Sequence, residues 1–284
     1  MALIRCWGDM DCVRLNNGAK MPRVGMGTFP LDGIKVAELI RSAVALGYRH
    51  FDTASAYHNE KWVGRGIRFS WVRREELWIT TKLSNHEQRA GNVRRAFEDS
   101  LGRLGLSYVD LYLMHWPNPG TYLASWTAME QIYRAGLVRA IGVCNFHQHH
   151  LEELKAVAEI IPAVNQVELH PLLAQRSLVD YCEKAGIQVE AYSPVARMHE
   201  KLIGHPVLVE IAARHGRTVP QIVLRWDYQN GVVTIPKTAS RRRLKENIGI
   251  CDFCLSDEEM VRICGLDEGF RVRHDPDHCD YSKL

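Results

Sequence analysis

Two spacings of apolar residues alternate along the chain. Short β-branched or apolar runs read as strands, and each is followed by a longer stretch in which apolar positions recur every three or four residues, as on one face of a helix. The strand-like runs are 24–28, 49–53, 77–83, 109–116, 138–144, 163–169, 188–194 and 231–237. Helix-like stretches fall at 35–47, 59–69, 91–105, 122–136, 149–159, 175–186, 206–216, 219–229 and 240–249. The first of these, "KVAELIRSAVALG", stops at Gly47, a residue suited to a helix end. No Pro/Ser linker or composition break interrupts the pattern. Strand–helix alternation implies a parallel sheet. Eight units in 284 residues predict a closed (β/α)8 barrel filling 1–284 as one domain, rather than an open doubly wound sheet. Ahead of them, "CVRLNNGAKMPRVG" (12–25) carries Asn-Gly between apolar runs. That is a β-hairpin signal, and the hairpin is placed to plug the bottom of the barrel.

A barrel makes a prediction about chemistry, because its active groups lie at the C-terminal ends of the strands and in the loops that follow. Those positions hold Asp52, Lys82, His115, Cys144 with Asn145, Gln166 with Glu168, Tyr192 with Ser193, and Lys237. Four of these, Asp52, Lys82, His115 and Lys237, are ionisable. Tyr57 sits in the loop after Asp52, in "GYRHFDTASAYHNE". Asp52, Lys82 and His115 end strands two, three and four and should converge on one side of the mouth. A phenol is a weak acid at neutral pH, and a nearby ammonium lowers its pKa. Asp52 would hold Lys82 charged, and His115 would orient a substrate oxygen, so the set reads as a tuned general acid facing a carbonyl. Taken alone, an Asp–Lys pair is also an ordinary structural salt bridge.

Composition adds bounds. With 46% hydrophobic and 24% charged residues the chain is an ordinary globular protein. Its net charge of +3 is too small to imply nucleic acid, but it allows a local basic pocket for an anion. Lys237, Arg241, Arg242, Arg243 and Lys245 crowd the loop and helix start after strand eight, where barrels favour phosphate. The other reading of that cluster is a solvated basic helix face. No G-x-G-x-x-G follows a strand, so a Rossmann site is unsupported. The eight Cys form no extracellular framework. Cys251 and Cys254 make a C-x-x-C without a second pair at zinc spacing, which reads as reduced thiols rather than a metal or redox site. "MALIRCWGDMDC" has no signal-length apolar core, and no run approaches a membrane span. The expectation is a cytoplasmic monomer without membrane or nucleic-acid partners.

The stretches "LNNGAKMPRVGMGTF", "GYRHFDTASAYHNE", "TTKL", "VDLYLMHWP", "GVCNF", "NQVELHP", "AYSP" and "IPKTASRRRLKENIGICDFCLSDEEM" together resemble the aldo-keto reductase family over almost the whole chain. The resemblance implies a (β/α)8 barrel that reduces aldehydes and ketones with NADPH. It implies Tyr57 as proton donor, Lys82 and Asp52 as the groups that set its pKa, and His115 as the group orienting the carbonyl. It places Asn145 and Gln166 at the nicotinamide carboxamide and Tyr192 against the nicotinamide ring. Ser193 and Val195 would lie over the pyrophosphate, Lys237, Thr238 and Arg243 at the 2′-phosphate, and Glu246 and Asn247 at the adenine. The chain looks most like the short-loop branch of 2,5-diketo-gluconate reductases and related prostaglandin F synthases, since "MHWP" runs almost directly into "YLASWTAMEQIY". Departures from the family pattern are Phe29 and Ser84, where Trp is common or usual, Cys144 for Ser, and "SPVARM" in place of a Gly-rich loop. Phe29, Ser84 and Trp116 are the expected substrate-pocket residues.

Two other readings use the same residues. One is a barrel that binds NADP(H) as a sensor or structural protein with little turnover. The other is a metal-dependent hydrolase using His147, His149 and His150 in "NFHQHHLEEL", a segment that also reads as helix capping and surface.

Overall fold

The computed structural model describes residues 12–284. The signal-segment reading of the N-terminus falls largely on 1–11, outside that range. The expected hairpin is present: β1 (Cys12–Arg14) pairs antiparallel with β2 (Lys20–Pro22), Val13 opposite Met21.

Eight parallel strands follow, and each lies where the sequence pattern places one. They are β3 (Met26–Gly27), β4 (His50–Asp52), β5 (Trp78–Leu83), β6 (Val109–Met114), β7 (Val138–Cys144), β8 (Val164–Glu168), β9 (Gln188–Tyr192) and β10 (Val233–Thr234). Neighbours in sequence are neighbours in the sheet from β3 to β10. The ring closes through a parallel bridge between Val24 and Thr234. There the Gly25 N–H donates to the Thr234 carbonyl at 2.9 Å, and the Thr234 N–H donates to the Arg23 carbonyl at 3.0 Å. This is the (β/α)8 barrel.

The helices are α1 (Gly33–Ala45), α2 (Glu60–Arg68), α3 (Asn85–Ala90), α4 (Val93–Leu104), α5 (Tyr122–Arg134), α6 (Gln148–Lys155), α7 (Arg176–Lys184), α8 (Glu200–Ile203), α9 (Pro206–His215), α10 (Val219–Gln229), α11 (Arg241–Ile248) and α12 (Asp257–Cys264). Three of them, α3, α8 and α12, were not anticipated from periodicity. Two of those carry a capping box, in which Ser84 with Glu87 starts α3 and Ser256 with Glu259 starts α12. α2 and α4 approach so closely that a Cβ on Gly64 would lie 1.8 Å from the Leu104 carbonyl oxygen, so only glycine fits there. No helix among the described residues is long and apolar enough to cross a membrane.

The two ends of the barrel differ in kind. At the N-terminal end, Leu15 and Met21 of the hairpin pack on Trp78, Leu111, Leu113, Ala140 and Val164. Asn16 Nδ2 donates to the Pro162 carbonyl at 3.0 Å and Asn17 Nδ2 to the Arg139 carbonyl at 2.9 Å. The bottom is thus sealed by apolar burial and pinned by two amides, and the C-terminal end is left for chemistry.

Candidate active site

A cavity of about 1070 Å³ opens at the C-terminal end of the strands. Asp52, the last residue of β4, and Lys82, near the end of β5, meet at its floor. Lys82 Nζ donates to both Asp52 oxygens, at 2.6 and 2.7 Å, and to the Thr53 carbonyl at 2.9 Å. Its fourth neighbour is the Tyr57 hydroxyl, at 3.4 Å. Lys82 is completely buried, and such an ammonium needs its charge matched and its donors satisfied. Burial pulls its pKa down, but Asp52 first, then Tyr57, outweigh that and hold it charged.

Tyr57 closes a single 3-10 turn, Ser55–Tyr57, which follows β4. Its ring lies 5.0 Å from Phe29 and 5.6 Å from His115, centroid to centroid. Part of the ring faces the cavity while the hydroxyl points to Lys82. Burial pushes the phenol up to about 12, and the Lys82 ammonium works against it. The expected lowering below the ordinary tyrosine value is therefore not met, because burial, with Asp52 and Cys144 adding to it, exceeds the effect of the ammonium. His115 follows β6 and lines the same cavity. Burial, then the charges of Lys82 and Arg273, hold its pKa well below the usual imidazole range, so it is neutral.

A second buried layer supports this floor. Gln166 Nε2 donates to Asp52 Oδ2 at 2.9 Å and to Glu190 Oε2 at 2.7 Å. The Glu190 carboxyl is fully buried, and burial together with the charge of Asp52 raises it to about 8. Its other oxygen lies 3.3 Å from His50 Nε2. Sequence reasoning missed Glu190, although an acid inside the apolar run of β9 was the available signal.

Along one wall, Tyr192 donates its hydroxyl to Asn145 Oδ1 at 2.7 Å, and Asn145 Nδ2 donates to the His115 carbonyl at 3.0 Å. The cavity is also lined by Ser193, Val195, Lys237, Thr238 and Arg243, together with Phe29, Ser84 and Trp116. Ser84 is at the same time the N-cap of α3. Glu246 and Asn247 lie on α11 and do not line the cavity. Glu246 pairs with Arg242 at 3.1 Å on the outer side of α11, and Asn247 is buried in that helix.

The rim beyond Ser193 departs from the sequence expectation in an instructive way. Ser193, Ala196, Arg197 and Met198 all have left-handed backbones, with φ of 48, 45, 54 and 63°. Glycine adopts this conformation freely, while other residues carry about 1–2 kcal/mol of strain each. "SPVARM" therefore keeps a glycine-like path without glycine, and it brings Arg197, which sequence reasoning had not singled out, to the cavity. Arg197, Lys237 and Arg243 make no side-chain hydrogen bond or ion pair among the described residues. Burial lowers the Lys237 pKa, and the Arg197 and Arg243 charges lower it further. Three uncompensated cations are what a polyphosphate ligand needs, so the residues present fit such a cofactor.

Relatives place this architecture. The aldo/keto reductase family model matches residues 23–268, and the chain belongs to that family. Among its relatives is the glyoxal reductase of Bacillus subtilis, 50% identical over 94% of this chain and 96% of that protein. Among solved structures, an aldo-keto reductase from a Medee basin deep-sea metagenome library superposes with a TM-score of 0.91, at 41% identity, over 95% of this chain and 100% of the other. A Bombyx mori aldo-keto reductase in complex with NADP superposes with a TM-score of 0.86, at 35% identity, over 94% and 95%.

Proposed function

We propose that the protein is an NADPH-dependent carbonyl reductase with Tyr57 as general acid, acting on small aldehydes and ketones such as the 2-oxoaldehydes that glyoxal reductase is named for. The observation that carries this reading is Lys82 Nζ held between both Asp52 oxygens and the Tyr57 hydroxyl on the cavity floor. NADPH, when bound, supplies the hydride that the carbonyl carbon receives. Lys237, Thr238 and Arg243 would hold its 2′-phosphate, Ser193, Val195 and Arg197 its pyrophosphate, and Asn145, Gln166 and Tyr192 its nicotinamide.

The residues of the chain account for the proton. The carbonyl oxygen takes it from the Tyr57 hydroxyl, and the product is the alcohol. A phenol raised to about 12 holds its proton at neutral pH and releases it only as negative charge builds on the substrate oxygen. The tyrosinate left behind faces Lys82, whose own charge is secured by Asp52. Neutral His115 can donate an N–H to the same oxygen and fix its position without competing as the acid.

The test is the fall in NADPH absorbance with a panel of glyoxal, methylglyoxal, simple aldehydes and keto-sugars, with NADH run in parallel. The expected result is turnover that prefers NADPH. Tight NADPH binding with no turnover on any carbonyl would overturn the reading in favour of an NADP(H)-sensing barrel.

A further inference from the structure

Four of the cations that line the cavity fall into two separate sets. Arg197, Lys237 and Arg243 form one, each close enough to act on another's charge. Arg273 is apart from them. Its guanidinium lies 5.7 Å from the centre of the Phe29 ring, and that ring packs on Tyr57. Its charge acts on His115, so it stands on the side of the cavity where the proton is delivered.

Arg273 is held there by a built device. Glu168, the last residue of β8, is buried. One of its oxygens accepts the backbone N–H of Val272 at 2.6 Å and the other that of Arg273 at 2.9 Å. The tail before the chain end is thereby fixed over the mouth of the barrel. Arg271 does not line the cavity; it donates to His147 Nε2 at 3.1 Å and lies 3.5 Å from Asp275. Glu168 and Asp275 are thus already engaged, and the Arg273 side chain makes no hydrogen bond or ion pair among the described residues. A half-buried guanidinium with a fixed backbone and no counter-ion presents a forked donor set matched to a carboxylate.

We infer that Arg273 is a specificity-determining residue that binds the carboxylate of the substrate, so that the preferred carbonyl compounds are oxo acids whose carboxylate lies a few carbons from the reacting carbonyl. This rests on the reductase reading of the same site. Phe29 would pack on the carbon chain between the two groups, and the carbonyl oxygen would remain at Tyr57 and His115. Neutral aldehydes of the same length would bind without the anchor.

The experiment compares 4-oxobutanoate with butanal, which share chain length and reacting group and differ in the carboxylate. Steady-state kcat/KM is measured with NADPH for the wild type, Arg273→Gln and Arg273→Lys. The wild type should favour the anion, and the ratio of the two kcat/KM values should fall about 10- to 100-fold in Arg273→Gln, mostly through KM for the anion. Arg273→Lys, which keeps the charge but not the fork, should restore part of the ratio. Because butanal reports any general damage, the ratio isolates the anchor. No wild-type preference for the anion, or a ratio unchanged within about twofold in Arg273→Gln, overturns the inference while leaving the reductase intact. Turnover of neither aldehyde overturns the reductase reading itself.

Discussion

The floor and the rim of the cavity are both charged, but they solve opposite problems. On the floor, Asp52, Lys82, Gln166 and Glu190 form one buried hydrogen-bonded chain in which each charge meets another. At the rim, Arg197, Lys237 and Arg243 are exposed and, among the described residues, unpaired on a loop and a helix start. A buried charge must be matched inside the protein, since no water offsets a missing partner. An exposed cation can wait for its anion, because solvent supports it meanwhile. The floor is therefore complete without a ligand, while the rim acquires its partners from one.

The sharpest way to break this contrast is at Tyr57. Removing its hydroxyl should abolish proton delivery and leave the rim untouched. Tyr57→Phe is expected to lower kcat about a thousandfold, within the range for general acid catalysis, while fluorescence titration finds NADPH affinity unchanged. Turnover within a few-fold of wild type would remove Tyr57 from the acid role.

Lys82 tests the claim that the floor is self-matched. Lys82→Met leaves Asp52 buried beside Glu190 with no cation, and deleting one partner of a buried pair costs about 3–5 kcal/mol. Denaturant unfolding should register a loss of that size. A stability change below about 1 kcal/mol, the scale of a surface pair, would mean that water already reaches the pair.

At the rim the effects should be smaller and sensitive to salt. Lys237→Ala should weaken NADPH binding about 10- to 100-fold, the scale of one or two charge-assisted contacts, and weaken NADH less. High ionic strength should narrow the difference between variant and wild type, because exposed charges are screened. Equal losses for the two cofactors would move Lys237 from the 2′-phosphate to the pyrophosphate.

How much of this was legible in the sequence follows the same division. The eight strands and their order could be read from periodicity, and Asp52, Lys82 and His115 from their places at strand ends, because strand ends are fixed by local pattern and by the barrel rule. Tyr57 depended on a turn rather than on a strand, yet its nearness to Asp52 gave it away. The direction of its pKa did not follow, since that sum needs the depth of burial, which only packing sets. Arg273 was illegible for a different reason. Its position depends on the tail folding back to Glu168, a contact about a hundred residues distant in sequence. Glu246 and Asn247 rest on the family pattern alone, because they sit on α11 outside the cavity lining and no strand end or barrel rule points to them.

The most gradual expected effect concerns the layer beneath the floor. The Glu190 carboxyl is raised from 4.5 to about 8, so the folded protein holds a proton there that the unfolded chain has lost. The stability this contributes is fully present below pH 4.5 and is lost as pH rises towards 8. Glu190→Gln keeps the hydrogen-bonding shape and removes the titration. Relative to wild type, the variant should therefore gain stability steadily from about pH 5 to pH 8 and no further above it. The titratable groups facing Glu190 are Asp52, Lys82, His50 and Cys144, and they are the same in both proteins. His50 is pushed down to about 3, mainly by burial, so in the folded state it stays neutral across this range. Its own linkage, a loss of stability as pH falls through the ordinary imidazole range, has the opposite sign and cancels in the difference. Urea midpoints at pH 5, 7 and 9 give that difference directly. Parallel curves for the two proteins would mean that Glu190 is ionised on the barrel axis at neutral pH, with Lys82 compensating two carboxylates rather than one.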